Sequence, residues 1–391
     1  MTDTSVRKPA ATAPLALYIH WPFCQTKCPY CDFNSHVRPG IDDAAWEQAL
    51  LRDLAHEARG TQGARLVSIF FGGGTPSLMP PRLAASLIAA ATRAWRTAPD
   101  LEITLEANPS SVEAARFADF RAAGVNRLSL GLQALDDAAL RLLGRPHDLA
   151  QGLAALDLAQ RTFPRVSFDL IHSRPGQTAA AWETELARAL GFGTGHLSAY
   201  QLTIEPGTRF ATLAARGLLD LPCEEEAASM FEATAALAAA AGLNAYEISN
   251  HARPGEESRH NLAYWTYAPF AGVGPGAHGR RQGRATVRVR RPEAWLEAVA
   301  KRGHGIESET VVPAHEAARE ALVMGLRLAR GIDPDLFRER TGLSLDRAVD
   351  PHARARLEAL GLLAPGPSLR ATAAGRPVLD RLLAELAREP A

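Results

Sequence analysis

LALYIHWPFCQTKCPYC, running from Leu15 to Cys31, is the stretch from which the fold can be worked out. LALYIHW at 15–21 reads as a β-strand, and a loop carrying three cysteines follows without a break. Moving outward, AAWEQALLRDLAHEA at 44–58 spaces its apolar residues three and four apart, as a helix does. RLVSIFF at 65–71 is a short apolar run of the kind that forms a buried strand. The alternation continues with helices at 81–95 and 112–124, strands at 101–107 and 126–133, and helices near 136–143 and 149–162. RVSFDLI at 165–171 is a strand, 179–191 a helix and GHLSAYQLT at 195–203 a strand. Repeated strand-then-helix units imply a parallel sheet with helical crossovers. At least six units predict an α/β fold, a partial or complete (β/α) barrel, with its site at the strand C-termini and the loops that follow them.

A further helix near 224–241 leads to LNAYEIS at 243–249, and RHNLAYWTYAPFAGVGPGAHG at 259–279 reads as a glycine-rich loop region. From about 292 helical patterns dominate, and the end reads as strand, turn, strand, helix. The expected organisation is a flexible lead at 1–14, a barrel domain at 15–285 and a small C-terminal domain at 292–391. That last domain is mainly helical and winged-helix-like.

The chain has 391 residues, 47% of them hydrophobic and 22% charged, which is an ordinary globular balance. Its 43 basic and 43 acidic side chains cancel, so charge gives no reason to expect nucleic acid as a partner. No window approaches the roughly 20 consecutive apolar residues of a membrane span, and the polar first residues lack a secretory signal. The expectation is a cytoplasmic protein, with peripheral membrane contact and a homodimer left open.

Three of the four cysteines, Cys24, Cys28 and Cys31, fall within eight residues. In a reducing compartment such a cluster points to a metal centre and not to disulfides. Three thiolates on one loop suit three irons of a [4Fe–4S] cluster, leaving the fourth iron open to a ligand. The alternative is a structural zinc completed by His20 or His36, although zinc sites more often use two separated pairs. Gly72-Gly73-Gly74-Thr75-Pro76 ends the second strand. It lacks the lysine of a phosphate loop, and glycines there let a zwitterionic ligand approach the backbone.

A C-x3-C-x2-C loop after the first strand and Gly-Gly-Gly-Thr-Pro after the second resemble the radical S-adenosylmethionine (SAM) superfamily. Leu17 to Cys24, Leu105 to Pro109, Ser129 to Gln133 and Leu143-Gly144-Arg145 resemble its oxygen-independent coproporphyrinogen III oxidase branch. The resemblance implies that Cys24, Cys28 and Cys31 ligate a [4Fe–4S] cluster. It implies that SAM is bound by Tyr18, Tyr30, Gly73, Gly74, Thr75, Glu106, Gln133, Arg145 and Asp169. In that family Tyr30 lies near the adenine, Glu106 meets the amine, and Arg145 meets the carboxylate. Gln133 and Asp169 reach the ribose or methionyl groups. One departure stands out. Where the family has Gly-Leu-Pro-Gly-Gln-Thr, this chain reads Ser173-Arg174-Pro175-Gly176-Gln177-Thr178. The change adds bulk and charge near the expected SAM pocket.

The branch contains decarboxylating dehydrogenases and heme chaperones. The former have a fourth cysteine where this chain has Phe33, and a longer segment before the first strand. His260-Asn261, followed by Tyr264-Trp265, matches the HNxxYW motif of the chaperones. The resemblance therefore implies a protein that binds heme and transfers it to apo-hemoproteins. His260, Tyr264 and Trp265 are the heme candidates, with His251 and His278 as competing ligands. Its alternative is an oxygen-independent coproporphyrinogen III dehydrogenase using SAM radical chemistry. The acceptor and the electron donor are not readable from the residues.

Overall fold

The computed structural model describes residues 13–387, so nearly all of the expected flexible lead at 1–14 lies outside the described residues. Six parallel strands follow one another across the sheet in chain order. They are β1 (Pro14–Trp21), β2 (Arg65–Gly73), β3 (Arg96–Ala107), β4 (Arg127–Gln133), β5 (Arg165–His172) and β6 (His196–Gln201). Helices α1 (Asp43–Gly60), α2 (Pro81–Ala94), α3 (Leu149–Thr162) and α4 (Ala179–Leu190) are among the crossovers.

Each strand divides its residues between two environments by simple alternation. Leu15, Leu17, Ile19 and Trp21 enter the main core under the helices, as do Ile103 and Leu105, Leu128, Leu130 and Leu132, and Val166, Phe168 and Leu170. The intervening positions face the barrel interior, and they are largely polar: Tyr18 and His20, Glu102, Thr104 and Glu106, Arg127, Ser129 and Gln133, Ser167 and Asp169. The lumen is therefore a polar channel with one end at the strand C-termini.

The sheet does not close among the described residues, which settles the partial barrel over the complete one. Beyond β6 runs the short antiparallel β7 (Asn250–Ala252). On the other side β8 (Phe270–Val273) pairs parallel with β1. The antiparallel β9 (His278–Arg281), β10 (Arg284–Arg288) and β11 (Ile306–Val311) then extend it. The stretch expected as a glycine-rich loop is more ordered than predicted. Ser258 caps helix α5 (Arg259–Trp265) by accepting from the Asn261 N–H, and β8 follows. Helix α5 closes the N-terminal mouth of the barrel, where Ala263 packs on Ala16.

The domain boundary expected at 292 also moves. Helix α6 (Pro292–Arg302) belongs to the barrel core: Trp295 stacks on Trp46 of α1 with centroids 5.3 Å apart, and Val299 is buried in the same cluster. A quartet of buried charges holds the extension there. Arg288 donates to Asp53 at 2.7 Å and to Glu57 at 2.8 Å, and Arg281 donates to Glu57 at 2.6 Å. A second core begins only after β11. It joins α7 (Ala314–Gly325), α8 (Pro334–Thr341), α9 (Pro351–Ala359) and α10 (Leu379–Leu386), with a hairpin pairing 363–364 to 370–371. This small domain has the helical, winged shape read from the sequence.

Candidate SAM and cluster site

The three cysteines sit at the C-terminal mouth of the barrel, on a loop held by backbone at both ends. Gly74 N–H donates to the Trp21 carbonyl and Thr75 N–H to the Phe23 carbonyl, both at 2.8 Å. A β-carbon on Gly74 would stand 2.8 Å from the Phe23 oxygen and 3.0 Å from Cys24 Sγ. One on Gly73, whose φ is +116°, would stand 2.6 Å from the His20 ring. The glycines are thus needed first to let the cysteine loop dock on β2, and two N–H groups expected to serve a ligand are already used by that loop. Beyond Cys31, Asn34 fastens the loop to the sheet extension, donating to the carbonyls of Pro275 at 3.0 Å and Arg290 at 2.9 Å.

Below the cysteines lies a cavity of about 600 Å³, well within the range of small-molecule sites. Its walls include all three cysteines and eight of the nine predicted SAM contacts: Tyr30, Gly73, Gly74, Thr75, Glu106, Gln133, Arg145 and Asp169. Tyr18 is the exception. It lies deeper in the lumen with its hydroxyl 2.9 Å from His20 Nδ1, stacked on Phe70. The other His20 nitrogen is 2.9 Å from the Asn34 carbonyl, and His36 Nε2 is 3.1 Å from Asn34 Oδ1. Neither ring nitrogen of His20 is therefore left to complete a zinc site. Among the described residues no three His, Cys, Asp or Glu side chains are gathered to hold one metal ion.

Two features of the wall point to a bound group. Gln133 has a φ of +71°, a conformation that costs a non-glycine residue roughly 1–3 kcal/mol, and its buried Oε1 has no partner. Arg145 Nε is likewise buried without an acceptor. Burial, and after it the charge of Asp169, lifts the Glu106 carboxyl to about 8. Burial lifts Asp169 to about 6, against the pull of its Ser198 hydrogen bond. At pH 7 Glu106 is therefore protonated and Asp169 largely ionised, a carboxyl pair that suits a cationic ligand. A sulfonium is such a ligand.

One residue quoted only as part of a motif proves to organise the site. Asn108 Nδ2 donates to Thr75 Oγ1 at 3.1 Å, and Thr75 Oγ1 donates to Cys24 Sγ at 3.3 Å. Asn108 Oδ1 accepts from Arg145 Nη2, while Arg145 Nη1 donates to Cys28 Sγ at 3.5 Å. A hydrogen-bonded chain therefore runs from one cluster cysteine to another through Thr75, Asn108 and Arg145. Buried Glu113 fixes Asn108 by accepting from its N–H at 2.9 Å. The only signal for this in the sequence is the string Leu105-Glu106-Ala107-Asn108-Pro109. Arg145, expected on the SAM carboxylate, here faces Cys28 and Asn108.

The Ser173-Arg174 departure does not reach the cavity. Arg174 is buried against α4 and pairs with Glu185, 3.1 Å between Nη1 and Oε1, while Ser173 lies 3.0 Å from His172 Nδ1. The concern that extra charge stands in the SAM pocket is thus corrected: Glu185 neutralises it behind the sheet.

The heme candidates occupy the opposite end of the barrel, where Tyr264 and Trp265 meet edge to face, 5.3 Å between centroids, and His260 points elsewhere. His260 Nδ1 is 3.0 Å from Ser68 Oγ, and the ring lies 4.8 Å from that of Phe70. Burial holds its imidazole at about 4, so it is neutral at pH 7. Tyr264 packs on Phe270, and Trp265 lies against the C-terminal domain with Arg327 over its ring. His251 is buried, whereas His278 is exposed on β9. A polar path joins the two ends. Asp169 accepts from Ser129 at 3.5 Å, Ser129 from Ser167 at 3.0 Å, and Ser167 from Arg127 at 2.9 Å. Burial pushes the Glu102 carboxyl up, but Arg127 and Arg165 outweigh it and hold it below the usual range. Glu102 in turn accepts from the His260 N–H at 3.2 Å.

Comparison with known proteins fits this geometry. The Radical SAM superfamily model matches residues 18–188, and the HemN C-terminal domain model matches 312–378, starting where the second core begins. The mitochondrial radical S-adenosyl methionine domain-containing protein 1 of Bos taurus is 43% identical over 326 residues, 81% of this chain and 74% of its own. The heme chaperone HemW of Escherichia coli is 38% identical over 343 residues, 85% of this chain and 88% of its own. That of Bacillus subtilis is 35% identical over 331 residues, 84% and 87%. The structure of coproporphyrinogen III oxidase (HemN) from Escherichia coli superposes with a TM-score of 0.80 over 97% of this chain and 91% of that one. At 22% identity it shares the fold.

Proposed function

The chain belongs to the HemW family of the radical SAM superfamily, and from that premise we propose that it binds heme and delivers it to apo-hemoproteins. The observation that carries this reading is the identity to heme chaperones, 38% over 85% of the chain, combined with Phe33 in place of the fourth cysteine of the decarboxylases. Phe33 stands 62% exposed at the cavity wall. The compartment we propose is the cytoplasm. No helix among the described residues is long and apolar enough to cross a membrane.

Cys24, Cys28 and Cys31 would hold a [4Fe–4S] cluster, and the cavity beneath them would hold SAM. A cluster held there would supply an iron open to a ligand and a single electron for reduction of a sulfonium. The chain's own residues prepare that arrangement. Thr75 and Arg145 donate to cysteine sulfurs, Glu106 offers a carboxylate to an amino group, and Gln133 presents a free acceptor. We assign cluster and SAM a regulatory role in heme loading or release. Heme contact at the HNxxYW motif rests on the resemblance. For His260 to reach iron, α5 must lift from the barrel floor, whereas His278 needs no such movement. Heme titrations of His260→Ala and His278→Ala separate them: the ligand is the one whose loss changes the absorption spectrum.

The intact cavity beside the cysteines favours a second reading, oxidative decarboxylation of coproporphyrinogen III. An anaerobic assay with cluster-loaded protein, SAM, coproporphyrinogen III and a low-potential reductant distinguishes the two. The chaperone reading expects no decarboxylated porphyrin, and multiple turnovers would overturn it.

A further inference from the structure

A second cavity, of about 230 Å³, opens far from the cysteines, where the end of α5 meets the C-terminal domain. Trp265, Arg330, Arg340, Ile332, Leu336 and Phe337 line it. Its polar groups are unbalanced. Arg340 is half-buried and donates to the Thr266 carbonyl, and among the described residues neither Arg340 nor Arg330 forms an ion pair. The carboxylates in reach are committed elsewhere. Asp333, which also lines the cavity, caps α8, its Oδ1 accepting from the N–H groups of Asp335 and Leu336, both at 2.9 Å. Glu247 accepts from Ser249 N–H at 2.8 Å and from Arg327 at 3.4 Å. Glu339 adds only a longer-range attraction to Arg340. Two N–H donors close by, Trp265 Nε1 and Arg327 Nε, are buried with no acceptor at all. Burial and the neighbouring Arg330 bring the Arg340 guanidinium down to about 10. Burial and Arg327 likewise lower Arg376, which donates to the Glu247 carbonyl at 2.6 Å.

Unpaired guanidinium groups and orphaned donors beside an apolar wall describe a site for an anion that brings its own apolar body. We propose that this cavity binds the carboxylate of a largely apolar small molecule. Arg340 and Arg330 are its charge partners, and Ile332, Leu336 and Phe337 form the apolar seat. The inference stands apart from the reading of the cysteine site and survives or fails on its own.

Calorimetric titration of the full chain with octanoate, against octanol as the uncharged match, tests it. Octanoate should bind in the millimolar range or tighter, and octanol at least tenfold more weakly. Arg340→Gln should weaken octanoate at least tenfold while the circular dichroism melt shows a folded protein. If that variant does not fold, Arg330→Gln on the exposed rim should show the same loss more mildly. Protoporphyrin and its dimethyl ester identify the source of the carboxylate. Weakening of the acid but not the ester by Arg340→Gln assigns the site to a propionate, and an effect on octanoate alone assigns it to a free apolar acid. Equal binding of octanoate and octanol, no octanoate binding, or octanoate affinity unchanged in both variants would overturn the proposal.

Discussion

Glu106 carries a proton at neutral pH, because burial and then Asp169 raise its carboxyl to about 8. The folded protein therefore binds more protons than the unfolded chain between about 4.5 and about 8. This group's contribution to stability is present at low pH and is lost as pH rises through that window. SAM binding should run the other way, since a sulfonium cation favours the ionised carboxylate. We predict that SAM affinity, measured by calorimetry, rises roughly tenfold from about pH 6.5 to about pH 8.5. Glu106→Gln should bind more weakly and show a flat profile. Asn108 supports a second prediction. Asn108→Ala removes the link between Thr75 and Arg145, so the donors to Cys24 and Cys28 lose their positions. Hydrogen bonds to cluster sulfurs help set the potential, and they stabilise the more negative reduced state. The midpoint potential of the reconstituted cluster should therefore fall in the variant. An unchanged potential would mean that Thr75 and Arg145 hold their places alone. At this scale the cysteines and glycines are legible from their spacing after the first two strands, whereas the polar strand-end residues stand out only through the resemblance. The direction of Arg174 was not, because it depends on Glu185, which comes from a different element.

The cysteine loop is an element held by others, and its anchors make a third prediction. Gly74→Ala sets a methyl group against the Phe23 carbonyl and Cys24. Such overpacking costs roughly 1–3 kcal/mol, which the loop can relieve by undocking. Iron and sulfide content should drop sharply while the far-ultraviolet circular dichroism is retained. The sheet extension carries a fourth. Arg288→Ala leaves Asp53 and Glu57 buried with one partner fewer. Removing one member of a buried ion network costs about 3–5 kcal/mol, which urea unfolding would register as a lower midpoint. Alternation of apolar runs made the six parallel strands readable in advance. Helix α5 has one cue in the sequence, Ser258 as a cap ahead of Arg259, and the glycines that follow it give the stretch the composition of a loop. Helix α6 was assigned to the wrong domain because its periodicity resembles that of the helices beyond it. Only the stacking of Trp295 on Trp46 shows where it belongs.

In the whole molecule, the cluster site and the HNxxYW helix occupy opposite mouths of one polar lumen. Asp169, Ser129, Ser167 and Arg127 form a hydrogen-bonded series between them, continued by Glu102 to the backbone of His260. If SAM binds as proposed, this series would connect it to the end of the barrel that carries the HNxxYW motif. Such long-range organisation had no signature in the sequence, since register alone brings these side chains together. The account stands most directly on transfer of heme. Heme-loaded, cluster-containing protein would be mixed with an apo-hemoprotein acceptor, and the rate of acceptor filling compared with the rate at which a scavenging apo-globin captures heme lost to solution. Filling faster than passive loss is the predicted result. Heme that is not retained, or an acceptor that fills no faster than the scavenger, would contradict it.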